Sequence, residues 1–189
     1  MASPASPVVV IWELASAKRV RTLEGHKAAV RCIEFLDDST LISGGNDSTL
    51  RIWDLREGKL IETIPAEAPV TDVSAAPGGK QIVYCTERGH IVLLALDSKE
   101  RKNLHKDVVE PPTGTTRYMR YECAEYSPNG KWIAIGHHGE LKVLDAKSLE
   151  VKYVQSRDIE TRVYEVAWSP DSSRVGTALG DGAKVWRLP

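Results

Sequence analysis

The chain has 189 residues, 42% of them apolar and 27% charged, with a net charge of −1. That length suits one domain or part of one, and that composition can bury a core. The near-zero charge excludes a general attraction to nucleic acid or anionic membrane, and no apolar run approaches the about 20 residues of a membrane-spanning helix.

Residues 1–7, MASPASP, lack the basic start and long apolar stretch of a secretory leader and read as a loose tail. VVVIWEL (8–14) is a β-branched run that predicts a strand. Four more strands are expected at 19–24, 30–36, 40–44 and 49–55, separated by Gly25, Asp37-Asp38 and Asn46-Asp47. Farther on, VTDVSAAPGGKQIVY (70–84), YECAEYSPNGKWIAIG (121–136) and VYEVAWSPDSSRVGTA (163–178) each join two apolar runs by a turn-rich segment. HIVLLAL (90–96), ELKVLDA (140–146) and GAKVWRL (182–188) align without gaps to VVVIWEL and to TLRIWDL (49–55). Their equivalent positions are Trp12, Trp53, Leu94, Leu144 and Trp186, spaced by 41, 41, 50 and 42 residues. No segment of helical length shows a 3.6-residue period. The basic run KERKNLHK (99–106) reads as a solvated strand face.

Four short strands in about 40–45 residues make the blade of a β-propeller. The best copy, LEGHKAAVRCIEFLDDSTLISGGNDSTLRIWDL, carries Gly25-His26 at one end and Trp53-Asp54 at the other, and it resembles a WD40 repeat. The later copies keep the Ser-Pro-Asn/Asp turn and the final Trp or Leu but lack Gly-His. The resemblance runs over about residues 8–188 and implies an all-β, WD40-type β-propeller of about four four-stranded blades plus a partial blade. The repeat units fall at about 15–55, 56–96, 97–146 and 147–188, after the partial blade at 8–14.

The family pattern implies a structural hydrogen-bond chain through Trp53, Ser43, His26 and Asp47. Donor and acceptor types agree: indole only donates, hydroxyl and neutral imidazole do both, and carboxylate only accepts. A Ser-His-Asp catalytic triad is the rival, but Ser43 ends a strand that should pack inside a blade. At the positions of Ser43, Asp47 and Trp53 the next repeat has Tyr84, Arg88 and Leu94, so the later blades are expected to rely on packing alone.

Partners of such propellers dock on the face bearing the loops into each first strand. Carried over by position, the residues there are Arg31, Thr71, Glu122 and Tyr164, with Arg120 and Arg162 two places before the last two, and Asn46 on the same face. Arg and Tyr suit interfaces because they combine apolar area with directional polar groups. The 50-residue spacing places extra length in KDVVEPPTGTTRYMRY (106–121), where Tyr118, Met119 and Tyr121 offer apolar surface for a partner. His137-His138 with Glu140 has no second cluster at metal-ligand spacing, and the GDG at 180–182 precedes no helix.

A seven-bladed ring needs roughly 280–315 residues. The chain is therefore expected to be part of a larger propeller, with pairing to another chain as one way to complete the ring; the alternative is that 19–24 pairs beside 182–188 and closes four blades. The expected function is a non-catalytic protein–protein interaction scaffold, with no cofactor or metal, bound to other proteins or peptides in a multiprotein complex. An RNA or modified-peptide recognition module is the first alternative. A propeller hydrolase, which needs converging carboxylates or histidines at the centre, is the second. Three scattered cysteines, Cys32, Cys85 and Cys123, favour the cytoplasm or nucleus over an oxidising compartment.

Overall fold

The computed structural model describes residues 7–104, 123–137, 140–155 and 163–188. They form strands and turns, with no helix among the described residues. The first sheet has two strands, β1 (Val8–Glu13) and β2 (Lys18–Glu24). The second runs β3 (Val30–Asp37), β4 (Thr40–Gly45), β5 (Thr49–Asp54) and β6 (Lys59–Pro65), each antiparallel to the last. The third repeats this with β7 (Val70–Ala75), β8 (Gln81–Thr86), β9 (Ile91–Ala95) and β10 (Arg101–Asn103). The fourth has β11 (Cys123–Tyr126), β12 (Trp132–His137), β13 (Glu140–Asp145) and β14 (Val151–Gln155). The fifth has three strands, β15 (Val163–Trp168), β16 (Arg174–Leu179) and β17 (Gly182–Arg187). Each sequence repeat is thus offset by one strand from a sheet, since it opens with the outer strand of the sheet before. β2 pairs antiparallel with β1.

The turns follow from their residues. In Ser-Pro-Asn-Gly, the Ser127 hydroxyl donates to Asn129 Oδ1 and accepts from the Trp132 N–H at 3.0 Å. Gly130 adopts φ 68°, which closes the hairpin without a Cβ clash. Ser169 and Asp171 repeat the arrangement, the Ser169 hydroxyl donating to Asp171 at 2.6 Å and accepting from the Arg174 N–H at 2.9 Å.

The core lies between sheets. Ile42, Leu50, Ile52 and Ile64 of the second sheet bury against Val73, Ile82, Tyr84 and Leu94 of the third. Val83, Ile91 and Leu93 then bury against Ala124, Tyr126 and Ile133 of the fourth. Ala134, Leu141 and Val143 do so against Val166, Val175 and Leu179 of the fifth. Alternate residues serve opposite seams, so the strands are apolar on both faces. Each buried Leu or Ile contributes about 1.5–3 kcal/mol relative to exposure. At β3, which has no inner strand before it among the described residues, the same positions face solvent: Ile33 and Phe35 are 52% and 60% exposed.

The innermost strands meet in succession, β3 with β7, β7 with β11 and β11 with β15. Their approach is set by glycines on the second strands. A Cβ on Gly44 would lie 2.5 Å from Val70 Cγ1 and 2.7 Å from Cys32 Sγ, and one on Gly136 would meet Val163 Cγ1 and Cys123 Sγ at the same 2.5 and 2.7 Å. Gly44→Ala is expected to overpack the first of these seams and destabilise the protein by about 1–3 kcal/mol, read as a lower denaturant midpoint.

Candidate functional site

In the second sheet Trp53 Nε1 donates to Ser43 Oγ at 2.8 Å, and Ser43 Oγ lies 2.7 Å from His26 Nε2. His26 Nδ1 lies 2.9 Å from Asp47 Oδ2, which also accepts from the Lys27 N–H at 2.8 Å. The Thr49 hydroxyl donates to Asp47 Oδ1 at 2.8 Å. The carboxylate can only accept, so the Nδ1 proton points to Asp47, Nε2 accepts from Ser43, and the chain of bonds runs one way from indole to carboxylate. Burial alone would raise the Asp47 carboxyl. The bonds from Lys27, Thr49 and His26 outweigh it and hold Asp47 below the usual carboxylate range. Ser43 is fully buried and bonded on both sides, which removes it as a nucleophile.

The next blades are tied by different polar groups. In the third sheet Tyr84, standing where Ser43 does, donates its hydroxyl to Glu67 at 2.8 Å, and Arg101 donates to the same carboxylate at 2.8 Å and to the Pro65 carbonyl at 2.6 Å. In the fifth, Trp186 Nε1 donates to the Thr177 hydroxyl at 3.2 Å, the counterpart of Trp53 to Ser43. The expectation of packing alone is corrected at these two sheets. The compensating groups came from positions outside the pattern, Glu67 and Arg101, or from a Ser-to-Thr exchange.

The loop-bearing face has a regular construction. The β3–β4 register slips between Val30 and Cys32, the β7–β8 register between Val70 and Asp72, and the β15–β16 register between Val163 and Glu165. The extra residue in each bulge is Arg31, Thr71 or Tyr164. A bulge re-aims its extra side chain out of the pleat, so three candidates share one rim position for one backbone reason. Arg31 and Tyr164 are exposed, Tyr164 at 51%. Thr71 is half-buried, its hydroxyl enclosed without a partner. Asn46 is exposed beside them, and its N–H donates to the Ala29 carbonyl at 2.8 Å, as Glu87 N–H does to Pro69 at 2.8 Å. The two loops of the second and of the third sheet are therefore bonded together on this face. Tyr118, Arg120, Glu122 and Arg162 lie outside the described residues, as does His138.

Along the inner strands the structure assembles a set that no sequence spacing disclosed. Glu34 accepts from the Ala75 N–H at 3.3 Å, Asp72 from the Ala124 N–H at 3.2 Å, and Glu125 from the Trp168 N–H at 3.0 Å. Ser74 adds a bond from the Tyr126 N–H at 3.1 Å. Each junction between inner strands is thus clasped by a carboxylate of one strand and a backbone N–H of the next. Burial raises the Glu34 and Asp72 carboxyls. Burial, with the charges of Asp72, Glu34 and Glu165, pushes Glu125 up to about 7 against the bond from Trp168. Three inner strands thus carry carboxylates toward their neighbours, each one bonded to a neighbouring backbone N–H. Elsewhere, a cleft of about 370 Å³ between the fourth and fifth sheets is lined by Leu141, Val143, Val154 and Trp186, with Lys152 and Arg187 at its polar side. None of the face residues lines it.

Residues 17–54, the segment holding the complete hydrogen-bond chain, match the family model "WD domain, G-beta repeat". The fold itself aligns with the β-propeller domain of Cps50 (Swd1) from Myceliophteria thermophila at a TM-score of 0.80 and 19% identity, over 96% of this chain and 59% of that one. The chain has the β-propeller fold and carries a WD40 repeat. Among curated proteins it is similar to eukaryotic translation initiation factor 3 subunit I. It is 29% identical to that of Botryotinia fuckeliana over 188 residues, covering 92% of this chain and 53% of that protein. Against that of Pyricularia oryzae it is 26% identical over 179 residues (92% and 52%), and against that of Nematostella vectensis 27% over 176 (90% and 53%). The chain spans about half the length of the curated relatives it matches.

Two substitutions probe the blade ties. Asp47→Ala strands the buried His26 and should cost roughly 1–3 kcal/mol at neutral pH. Because the Asp47 carboxyl is held low, its stabilising share is present above its unfolded value and is lost as pH falls through the acid range. Wild type and variant should therefore converge in thermal midpoint toward low pH. Tyr84→Phe should cost about 0.5–1.5 kcal/mol by releasing Glu67, read in the same melts.

Proposed function

We propose that the chain is a non-catalytic protein–protein interaction scaffold acting within a cytoplasmic multiprotein complex. The observation that carries this reading is the row of bulge residues, Arg31, Thr71 and Tyr164, set at one rim position of the second, third and fifth sheets. A repeated offset that turns side chains out of otherwise buried strands gives a surface without adding to the core. Arg and Tyr are the residue types that anchor interfaces, and the bonded loops beneath them keep the surface preorganised. Asn46 extends it, and Tyr118, Arg120, Glu122 and Arg162 are proposed as further parts of the same face. The repeat units at about 15–55, 56–96, 97–146 and 147–188 each contribute one section.

The relatives support the setting. Their name denotes a subunit of a translation initiation factor, and translation initiation is a cytoplasmic process. We infer that this chain's partners are other proteins of such an assembly. Ser43, His26 and Asp47 are committed to one another within a blade, which supports a binding rather than a catalytic role.

The test is affinity capture with cross-linking on cell extract, comparing wild type with the double variant Arg31→Glu, Tyr164→Ala. Both side chains are exposed, so the thermal midpoint should stay within about 0.5 kcal/mol of wild type in stability terms. Recovery of cross-linked partner proteins should fall at least about tenfold, the loss expected when an interface loses two anchors. Undiminished recovery by a folded double variant would refute this face as the binding surface.

A further inference from the structure

We propose that Arg51 and Gly25 form a receiving point for an oxyanion, a carboxylate or phosphate group borne by a partner protein. Arg51 stands in β5 opposite Ser43 on β4 and Thr63 on β6. Its guanidinium reaches across to Gly25, just past the end of β2. A Cβ on Gly25 would lie 2.7 Å from Nη1 and 3.5 Å from both Cζ and the Trp53 ring. The cation therefore sits where the first sheet meets the second, beside the buried group Val9, Leu23, Leu41 and Trp53.

A guanidinium stays charged throughout the pH range of a folded protein, and a buried charge is ordinarily paired. Arg51 is 7% exposed, and its Nε is enclosed without a partner. No carboxylate pairs with it among the described residues. Asp47, in the loop before β5, is held by His26 at 2.9 Å, and Glu62, on the strand beside it, by Lys99 at 2.7 Å. Packing does not call for the charge. At the equivalent place of the next repeat Val92 is apolar and buried, and in the one after it Lys142 has its counter-charge in Glu140 at 3.0 Å. Arg51 is thus a cation with little water and no acid to balance it.

The place is open to an arriving anion. Gly25 is exposed, and Nη1 and Nη2 are not enclosed as Nε is. A side chain at position 25 would press on Nη1, so the glycine lets the cation reach the surface. The two terminal nitrogens of a guanidinium match two oxygens of a carboxylate or phosphate. Their attraction is stronger at a seam of low dielectric than in bulk water. The site stands on Arg51 and Gly25; only the assignment of its anion to a protein rests on the scaffold reading.

The experiment follows the Trp53 indole N–H by NMR, since that ring adjoins the guanidinium. Sodium phosphate or sodium acetate replaces sodium chloride at constant ionic strength and neutral pH. The wild-type signal should shift saturably, with half-saturation in the millimolar range. Arg51→Met keeps similar volume without the charge, and its Trp53 signal should not respond. A wild-type response to acetate points to an acidic side chain of the partner, and one to phosphate alone points to a phosphorylated side chain. A wild-type signal unmoved in both salts, or an equal response in Arg51→Met, overturns the proposal. If Arg51→Met does not fold, the wild-type Arg51 Nε–H signal decides: a shift in step with Trp53 supports the site, and an unmoved signal overturns it. The probes are free anions, so this outcome is separate from that of partner capture.

Discussion

The second, third and fourth sheets are apolar on both faces, and that single constraint organises the rest. A strand such as β8 sends Ile82 and Tyr84 to one seam and Val83 and Cys85 to the next. Such a sheet cannot stand in water with one face wet, as a half-solvated sheet does. It must be covered on both sides, and the only surface of matching width and pleat is another blade. The successive seams are therefore the core, distributed around an arc rather than gathered in one centre. Positions buried at interior seams become exposed at β3, where Ile33 and Phe35 have no inner strand before them among the described residues.

Packing of this kind fixes how near two blades lie but specifies their rotation weakly, and the polar links supply what packing leaves loose. At the outer side the links differ from blade to blade: Trp53–Ser43–His26–Asp47, then Tyr84–Glu67–Arg101, then Trp186–Thr177. At the inner side they share one form, a carboxylate or hydroxyl accepting from the next strand's backbone. The inner form tolerates neighbour variation because its donor is backbone, whichever side chain follows. The outer form requires several side chains to agree, so it changes as a set. Concentrating carboxylates at the inner wall has a cost in mutual repulsion, and it falls most heavily on Glu125.

The proposed interaction face is a by-product of the same architecture. A bulge near the start of β3, β7 and β15 turns one residue outward while the following residues return to the seam, so the outward residues can vary without disturbing the core. Thr71, with its enclosed hydroxyl, shows that the rim position is not uniformly open. Arg31 and Tyr164 are the open members of the row.

The amino-acid order alone determined the strand content and the repeat, and the resemblance it carries implied the membership of the hydrogen-bond chain. These depend on local alternation, on turn chemistry such as Ser-Pro-Asn-Gly, and on spacing that recurs along one chain. It also placed Arg31, Thr71 and Tyr164 at equivalent positions, though without the bulge that explains their direction. The tertiary structure alone decided which sheets the strands join, with the outer strand of each sheet coming from the start of the next repeat. It alone joined Tyr84 to Glu67 and Arg101, residues 17 apart or more in sequence and matched to no common motif. The carboxylates show the difference most clearly. Glu34, Asp72 and Glu125 are separated by about one repeat each, and nothing local distinguishes them from surface acids. Only the stacking of inner strands removes their water, brings their charges together and gives each a neighbouring N–H to hold.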